Sequence, residues 1–308
     1  MDIEIDHLRS WIGKTQCDSE TLSPRTVRQF AATFNRDWPT DQGDEAPLLI
    51  HLCLTQPIAP LSALGRDGHP ELGEFLPPVS LPRRMWAGGT FEFYDQIRIG
   101  ETVTRHSTIK DVTLKTGRTG QLCFVTVEHK ITSDGRHVLS ERQDIVYRDV
   151  TQAGVSKPKP TPALKGPHRQ IMNPTPTMLF RYSALTFNGH RIHYDKEFCT
   201  GTEGYPGLVV HGPMQATILC QMAADIRGKQ PTKFYFRSLS PLFDNMDMTI
   251  NAREEGEALS LWTSCTGGPV AMEAKAEWWA PNTHLDRLVG VPCQSVAGRS
   301  STCGSCVM

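Results

Sequence analysis

The 308-residue sequence contains no apolar run approaching the roughly 20 residues that a membrane-crossing helix needs. It also lacks a surplus of either charge: 32 Lys and Arg stand against 33 Asp and Glu, a net charge of −1. With basic residues scattered rather than clustered, the electrostatic footprint of a nucleic-acid binder is missing. The opening MDIEIDHLRS is acidic and has no apolar centre, so no secretory leader is expected. Cysteine is present but unpatterned: nine residues, an odd number, widely spaced. That usage predicts reduced thiols and a cytoplasmic protein, with the mitochondrial matrix as the other compatible compartment. Only Cys303 and Cys306 form a C-x-x-C pair, without a second pair or a following strand–helix unit. A plain flexible tail over 286–308 is therefore expected in place of a metal or redox site.

What is present is length for about two ordinary domains and one order of elements, used twice. The stretch TQAGVSKPKPTPALKGP, 151–167, carries four prolines and little apolar periodicity, and reads as a linker between units 1–150 and 168–285. In the first unit Ser23 and Pro24 open a helix with Val27, Phe30, Ala31 and Phe34 at helical spacing. The apolar stretch PLLIHLCLTQPIAPLSAL follows, interrupted by Pro57 and Pro60, and then four strand patterns separated by turn residues. In the second unit TMLFRYSALTF predicts a short helix and GLVVHGPMQATILCQMAADI a longer one, followed again by four strands. The longer helix is apolar nearly all round, which predicts burial within a curved antiparallel sheet. TFEFYDQIRI and KFYFRSLSPLF overlay as F-x-F strands, so the chain reads as a duplicated α+β unit.

The chemistry-bearing residues concentrate in RYSALTFNGHRIHYD, Arg181 to Asp195, and in GYPGLVVHGPM, Gly204 to Met214. Together with LPRRMWAGGTFEF, Leu81 to Phe93, these stretches resemble the double hot-dog branch of the MaoC-like hydratases and dehydratases. That branch includes mitochondrial 3-hydroxyacyl-thioester dehydratases and the mesaconyl-C4-CoA and itaconyl-CoA hydratases. The resemblance implies a tandem hot-dog fold, each unit a helix wrapped by a curved antiparallel sheet. It also implies hydration of an α,β-unsaturated acyl-CoA, best a branched C5 dicarboxylic one yielding citramalyl-CoA. A dehydratase of linear 3-hydroxyacyl thioesters is the alternative. The wider family signature sets Asn188 at an aspartate position, His190 at an asparagine and His193 at the histidine. Asparagine cannot take a proton, so this departure shifts the proton work to histidine.

Such a reaction needs water delivered to C3, a proton at C2 and a donor for the enolate-like oxygen between them. An imidazole suits the proton work near neutral pH, and the N–H groups of a helix start suit the oxyanion. His193 is therefore expected to be a solvent-facing acid/base, Asn188 to orient water, and the Gly212 N–H to bind the thioester oxygen. Asp195 or His190 would orient His193, and His211 would act beside them or simply pack at the helix start. Arg83 and Arg84 would meet coenzyme A phosphates or a substrate carboxylate. Trp86, Gly88, Tyr205 and Gly207 would flank the acyl-CoA. No metal or separate cofactor is expected: His190, His193 and His211 share a neighbourhood, but no carboxylate or cysteine spacing completes a familiar metal site. A single N-x-H-x-x-H predicts one site per chain, and a duplicated unit is compatible with a monomer or a homodimer. Two other classes stay open: a thioesterase, and a non-catalytic acyl-CoA-binding protein.

Overall fold

A computed structural model of the chain describes residues 3–117, 120–149 and 160–279. The first half holds α1 (Ile5–Arg9), β1 (Thr15–Thr21), α2 (Pro24–Phe34), β2 (Arg83–Phe93), β3 (Thr102–Gly117), β4 (Gly120–Ser133) and β5 (Arg136–Arg148). The second holds β6 (His168–Met172), α3 (Pro176–Leu185), α4 (Gly212–Arg227), β7 (Lys233–Ser238), β8 (Met248–Glu255), β9 (Ala258–Cys265) and β10 (Val270–Glu277). Most of the 151–167 segment and all of 286–308, with its C-x-x-C pair, lie outside the described residues. The six described cysteines are free thiols. No described helix is long and apolar enough to cross a membrane.

All ten strands join one antiparallel sheet in the order β1-β3-β4-β5-β2-β7-β10-β9-β8-β6. Read from either edge, the order is the same, so the duplication is written into the topology as a tandem hot-dog. The halves meet where β2 pairs with β7, and glycine makes that seam possible. A Cβ on Gly89 would sit 2.1 Å from the Arg142 carbonyl oxygen, and one on Gly88 would sit 2.8 Å from that of Phe236. Gly88 is buried between neighbouring strands and leaves no face for a ligand, which corrects its expected contact with the acyl-CoA.

Helices α2 and α3 start alike: Ser23 Oγ accepts from the Thr26 N–H at 3.1 Å, and Thr175 Oγ1 from the Met178 N–H at 3.2 Å. A proline follows each cap, where its missing N–H costs nothing. The two helices pack against one another. Further along, the Ala46 N–H donates to Ile97 O and the Val210 N–H to Leu242 O, both at 2.8 Å. Beyond these matched anchors the halves diverge. In the second half the chain enters α4, whose Met214, Ile218, Leu219 and Met222 are buried and which ends at Gly228 in the left-handed region. In the first half the corresponding stretch forms just two 3₁₀ turns, Ile50–Cys53 and Leu61–Ala63; between them Thr55 turns to a φ of +54° and Pro57 and Pro60 follow. The first unit thus wraps its sheet around an irregular segment rather than a long helix. Buried polar groups go with it: His51 stands 3.4 Å from Glu141, and Ser107 Oγ 2.7 Å from His129 Nδ1.

Candidate active site

Helix α3 ends by bending the chain sharply toward α4. Phe187 adopts a φ of +46°, the Asn188 N–H donates to Ser183 O at 2.8 Å, and Asn188 Oδ1 accepts from the His190 N–H at 3.0 Å. This side-chain turn leads into the 3₁₀ turn Arg191–His193. The carbonyl of Asn188 accepts one bond in the turn, which leaves its second lone pair and its NH₂ group to hold a water.

His193 is buried rather than solvent-facing, a correction to the expectation from sequence. Its Nδ1 lies 2.7 Å from the Val209 carbonyl oxygen, which makes Nδ1 the protonated nitrogen and leaves the lone pair on Nε2. Burial lowers its pKa to about 4, so the ring is neutral at physiological pH. The ring stacks on His211 with centroids 3.7 Å apart. His211 is the N-cap residue of α4, is itself held by Ser183 Oγ at 2.8 Å, and is pushed well below the ordinary histidine range by burial. No side chain caps the helix, whose first amide, that of Gly212, lies next to the stacked rings. Trp86 covers this mouth: a Cβ on Gly212 would stand 3.1 Å from its ring, which stacks in turn on Phe236 at 4.1 Å.

The row of imidazoles continues across to the first half. His190 meets His193 edge to face at 5.3 Å and lies against His69 at 4.0 Å. His69 Nδ1 is 2.7 Å from Asp67 Oδ2. The loop carrying both is pressed onto the motif: a Cβ on Gly68 would stand 2.0 Å from Gly189 O, and the Arg191 N–H donates to Asp67 O at 2.9 Å. Arg84 adds its positive field to Asp67, His69 and His190. Burial drives both histidines down, helped by that field. Burial opposes ionisation of Asp67, but the His69 hydrogen bond and the Arg84 charge hold its carboxyl low. Asp67, His69 and His190 are the one cluster among the described residues with a metal-ligand donor set, their donor atoms within 4.8 Å of one another. Asp67 is engaged with His69, and its carboxylate also stands 3.9 Å from His190 Nε2.

Other expected residues serve the scaffold. Asp195 does not orient His193: it pairs with Arg191 at 2.7 Å and accepts from the Phe198 N–H at 2.9 Å. Arg83 is committed to Glu203, its Nε 3.1 Å from the carboxylate and its Nη2 donating to the Glu203 carbonyl at 2.8 Å. That pairing engages Arg83 within the scaffold, where coenzyme A phosphates or a substrate carboxylate were expected to meet it. Tyr205 lies under the Arg83 guanidinium at 5.7 Å and against Phe243. The space over Gly207 is filled by Asp244, whose Oδ1 would stand 2.5 Å from an added Cβ, so Gly207 offers no surface to a ligand either. Asp67, His69 and Ser183 were not anticipated. Ser183 lies within the motif helix, whereas nothing in GRDGHPELG marks its residues as partners of a segment 120 positions on.

Comparison with known proteins places the chain in a family. Residues 49–244 match the family model for hydroxyacyl-thioester dehydratase type 2. The chain is 40% identical over 273 residues to mesaconyl-C(4)-CoA hydratase of Chloroflexus aurantiacus, covering 87% of this chain and 96% of that one. Among solved structures, a MaoC-like dehydratase from Phytophthora capsici superposes with a TM-score of 0.67 at 15% identity, over 92% of this chain and all of that one. A Mycobacterium tuberculosis protein described as a double hot-dog superposes with a TM-score of 0.55 at 10% identity, over 86% of this chain and 96% of that one. The chain belongs to the hydroxyacyl-thioester dehydratase type 2 family.

Proposed function

We propose that the protein adds water reversibly across the double bond of an α,β-unsaturated acyl-CoA, with mesaconyl-C4-CoA as the favoured substrate and citramalyl-CoA as its product. The observation that carries this reading is the neutral His193 ring, fixed by Val209 and stacked on His211 at the uncapped N-terminus of α4. The 40% identity to a mesaconyl-C(4)-CoA hydratase supports the choice of substrate.

In this reading the thioester oxygen accepts from the Gly212 N–H. His193 Nε2 takes a proton from water held by the Asn188 NH₂ group. The resulting hydroxide equivalent bonds to C3, the π electrons move onto the thioester oxygen, and the helix amide stabilises the charge that gathers there. The imidazolium then returns its proton to C2, so one water has been added and the enzyme is unchanged. No electrons leave the substrate, so the step calls for no redox cofactor, and coenzyme A enters only as part of the substrate. Cytoplasm is the compartment this reading favours.

A panel of enoyl-CoAs followed by mass spectrometry tests it: mesaconyl-C4-CoA should gain one water. Release of free coenzyme A would instead identify a thioesterase, and binding without mass gain a non-catalytic protein. The family match favours one second reading, dehydration of linear 3-hydroxyacyl thioesters. Turnover of 3-hydroxybutyryl-CoA well above that of citramalyl-CoA would select it.

A further inference from the structure

The histidine row has a direction. Gly212, the His193–His211 stack, His190, and then His69 with Arg84 follow one another from the helix mouth to the first-half loop. Strand β2 runs alongside. Before its bulge at Trp86, residues two apart share a face, so Trp86 over Gly212 and Arg84 beside His190 point to the same side one pleat apart. An acyl group with its thioester oxygen at Gly212 and its reacting carbons at His193 therefore directs its C3 substituent toward His190 and Arg84. Unlike Arg83, Arg84 forms no ion pair within 4.0 Å among the described residues; the neutral Tyr147 hydroxyl, on the residue opposite it in β5, is the group its guanidinium engages. Arg84 stands half-buried where Asp67 is already engaged by His69. The coenzyme phosphates would lie a whole pantetheine arm from the thioester, at the opposite end of the ligand.

We propose that Arg84 binds a free carboxylate carried on C3 of the substrate, and that Asp67 and His69, brought by the first-half loop, position His190 and Arg84 for it. The inference rests on the acyl-CoA reading above and deepens it: one half of the duplication supplies the catalytic motif, and the other reads the charge that distinguishes a dicarboxylic substrate. Asp67 and His69 are positioning residues. The loop is set by the contact of Gly68 with Gly189, where neither backbone leaves room for a side chain.

Equilibrium binding of two saturated thioesters isolates this contact from turnover. Succinyl-CoA carries a carboxylate on C3, and butyryl-CoA carries a methyl group in its place; neither can be hydrated. Calorimetric titration of the full chain should show succinyl-CoA bound more tightly, and Arg84→Gln should reduce the succinyl-to-butyryl affinity ratio roughly 10- to 100-fold. Arg84→Lys, which keeps the charge but loses the fork, should restore part of that ratio. Asp67→Asn should lower the ratio less than Arg84→Gln does. A wild-type ratio near one, or a ratio that Arg84→Gln leaves unchanged, would overturn the proposal. Wild-type binding that shows the ratio while no enoyl-CoA is hydrated would retain this subsite and refute the hydratase reading.

Discussion

The proposed role of His193 depends on its being kept uncharged: its Nδ1–H is tied to Val209, and burial holds the pKa to about 4. His193→Gln, which can still satisfy the Val209 carbonyl, should cut turnover roughly 100- to 10,000-fold while far-UV circular dichroism stays native. Because the working form is the neutral ring, kcat/KM should be level from pH 7 to about 5 and fall only as the pH approaches 4. A titration limb near 6.5 would show that another group does the proton work. His190 and His193 were legible because they lie in one fifteen-residue stretch in a recognisable spacing, and His211 because it opens the apolar helix that follows. Asp67 and His69 were not, since their partnership with His190 is created by a Gly–Gly backbone contact rather than by any local pattern. Asp195 shows the converse: two residues from His193 in sequence, it turns away to Arg191 because a four-residue separation suits that ion pair.

At the scale of elements, turn chemistry and apolar periodicity located α2, α3, α4 and the eight inner strands. Edge strands β1 and β6 escaped notice because TQCDSET and HRQIM face solvent over much of their length and carry no clear apolar alternation. The absent helix in the first half was half-legible: Pro57 and Pro60 forbid a long one, yet the chain leaves helical geometry already after Cys53. The β2–β7 seam joins the units through glycines whose need is invisible until both strands are in place. Gly89→Ala would push a methyl group against the Arg142 carbonyl and the Phe236 ring, neither of which can withdraw without breaking sheet pairing. The expected cost is about 3 kcal/mol or more, read as a lower urea midpoint. If the midpoint is unchanged, the seam is looser than this geometry requires.

Over the whole molecule, protonation should be the main route to unfolding. Histidines 69, 129, 190, 193 and 211 are all depressed by burial, so each holds fewer protons folded than unfolded. Their contribution to stability is complete above the unfolded value of about 6.5 and is lost as pH falls through the lower folded values. Asp67 and Glu141, whose carboxyls are held low in the fold, lose theirs at still lower pH. Urea midpoints should therefore drop steeply between pH 7 and pH 5; equal midpoints would refute the claim. The duplication could be read from the repeated order of elements, whereas the mirror order of the strands became visible only with the sheet assembled. That mirror order carries a consequence for how such a protein changes over time. In a pair of identical subunits, every substitution strikes both copies at once, so no copy can give up its helix or its histidines alone. Fused into a single chain, the halves answer to selection separately, and one is free to trade its ancestral machinery for new discrimination while the other keeps the reaction running.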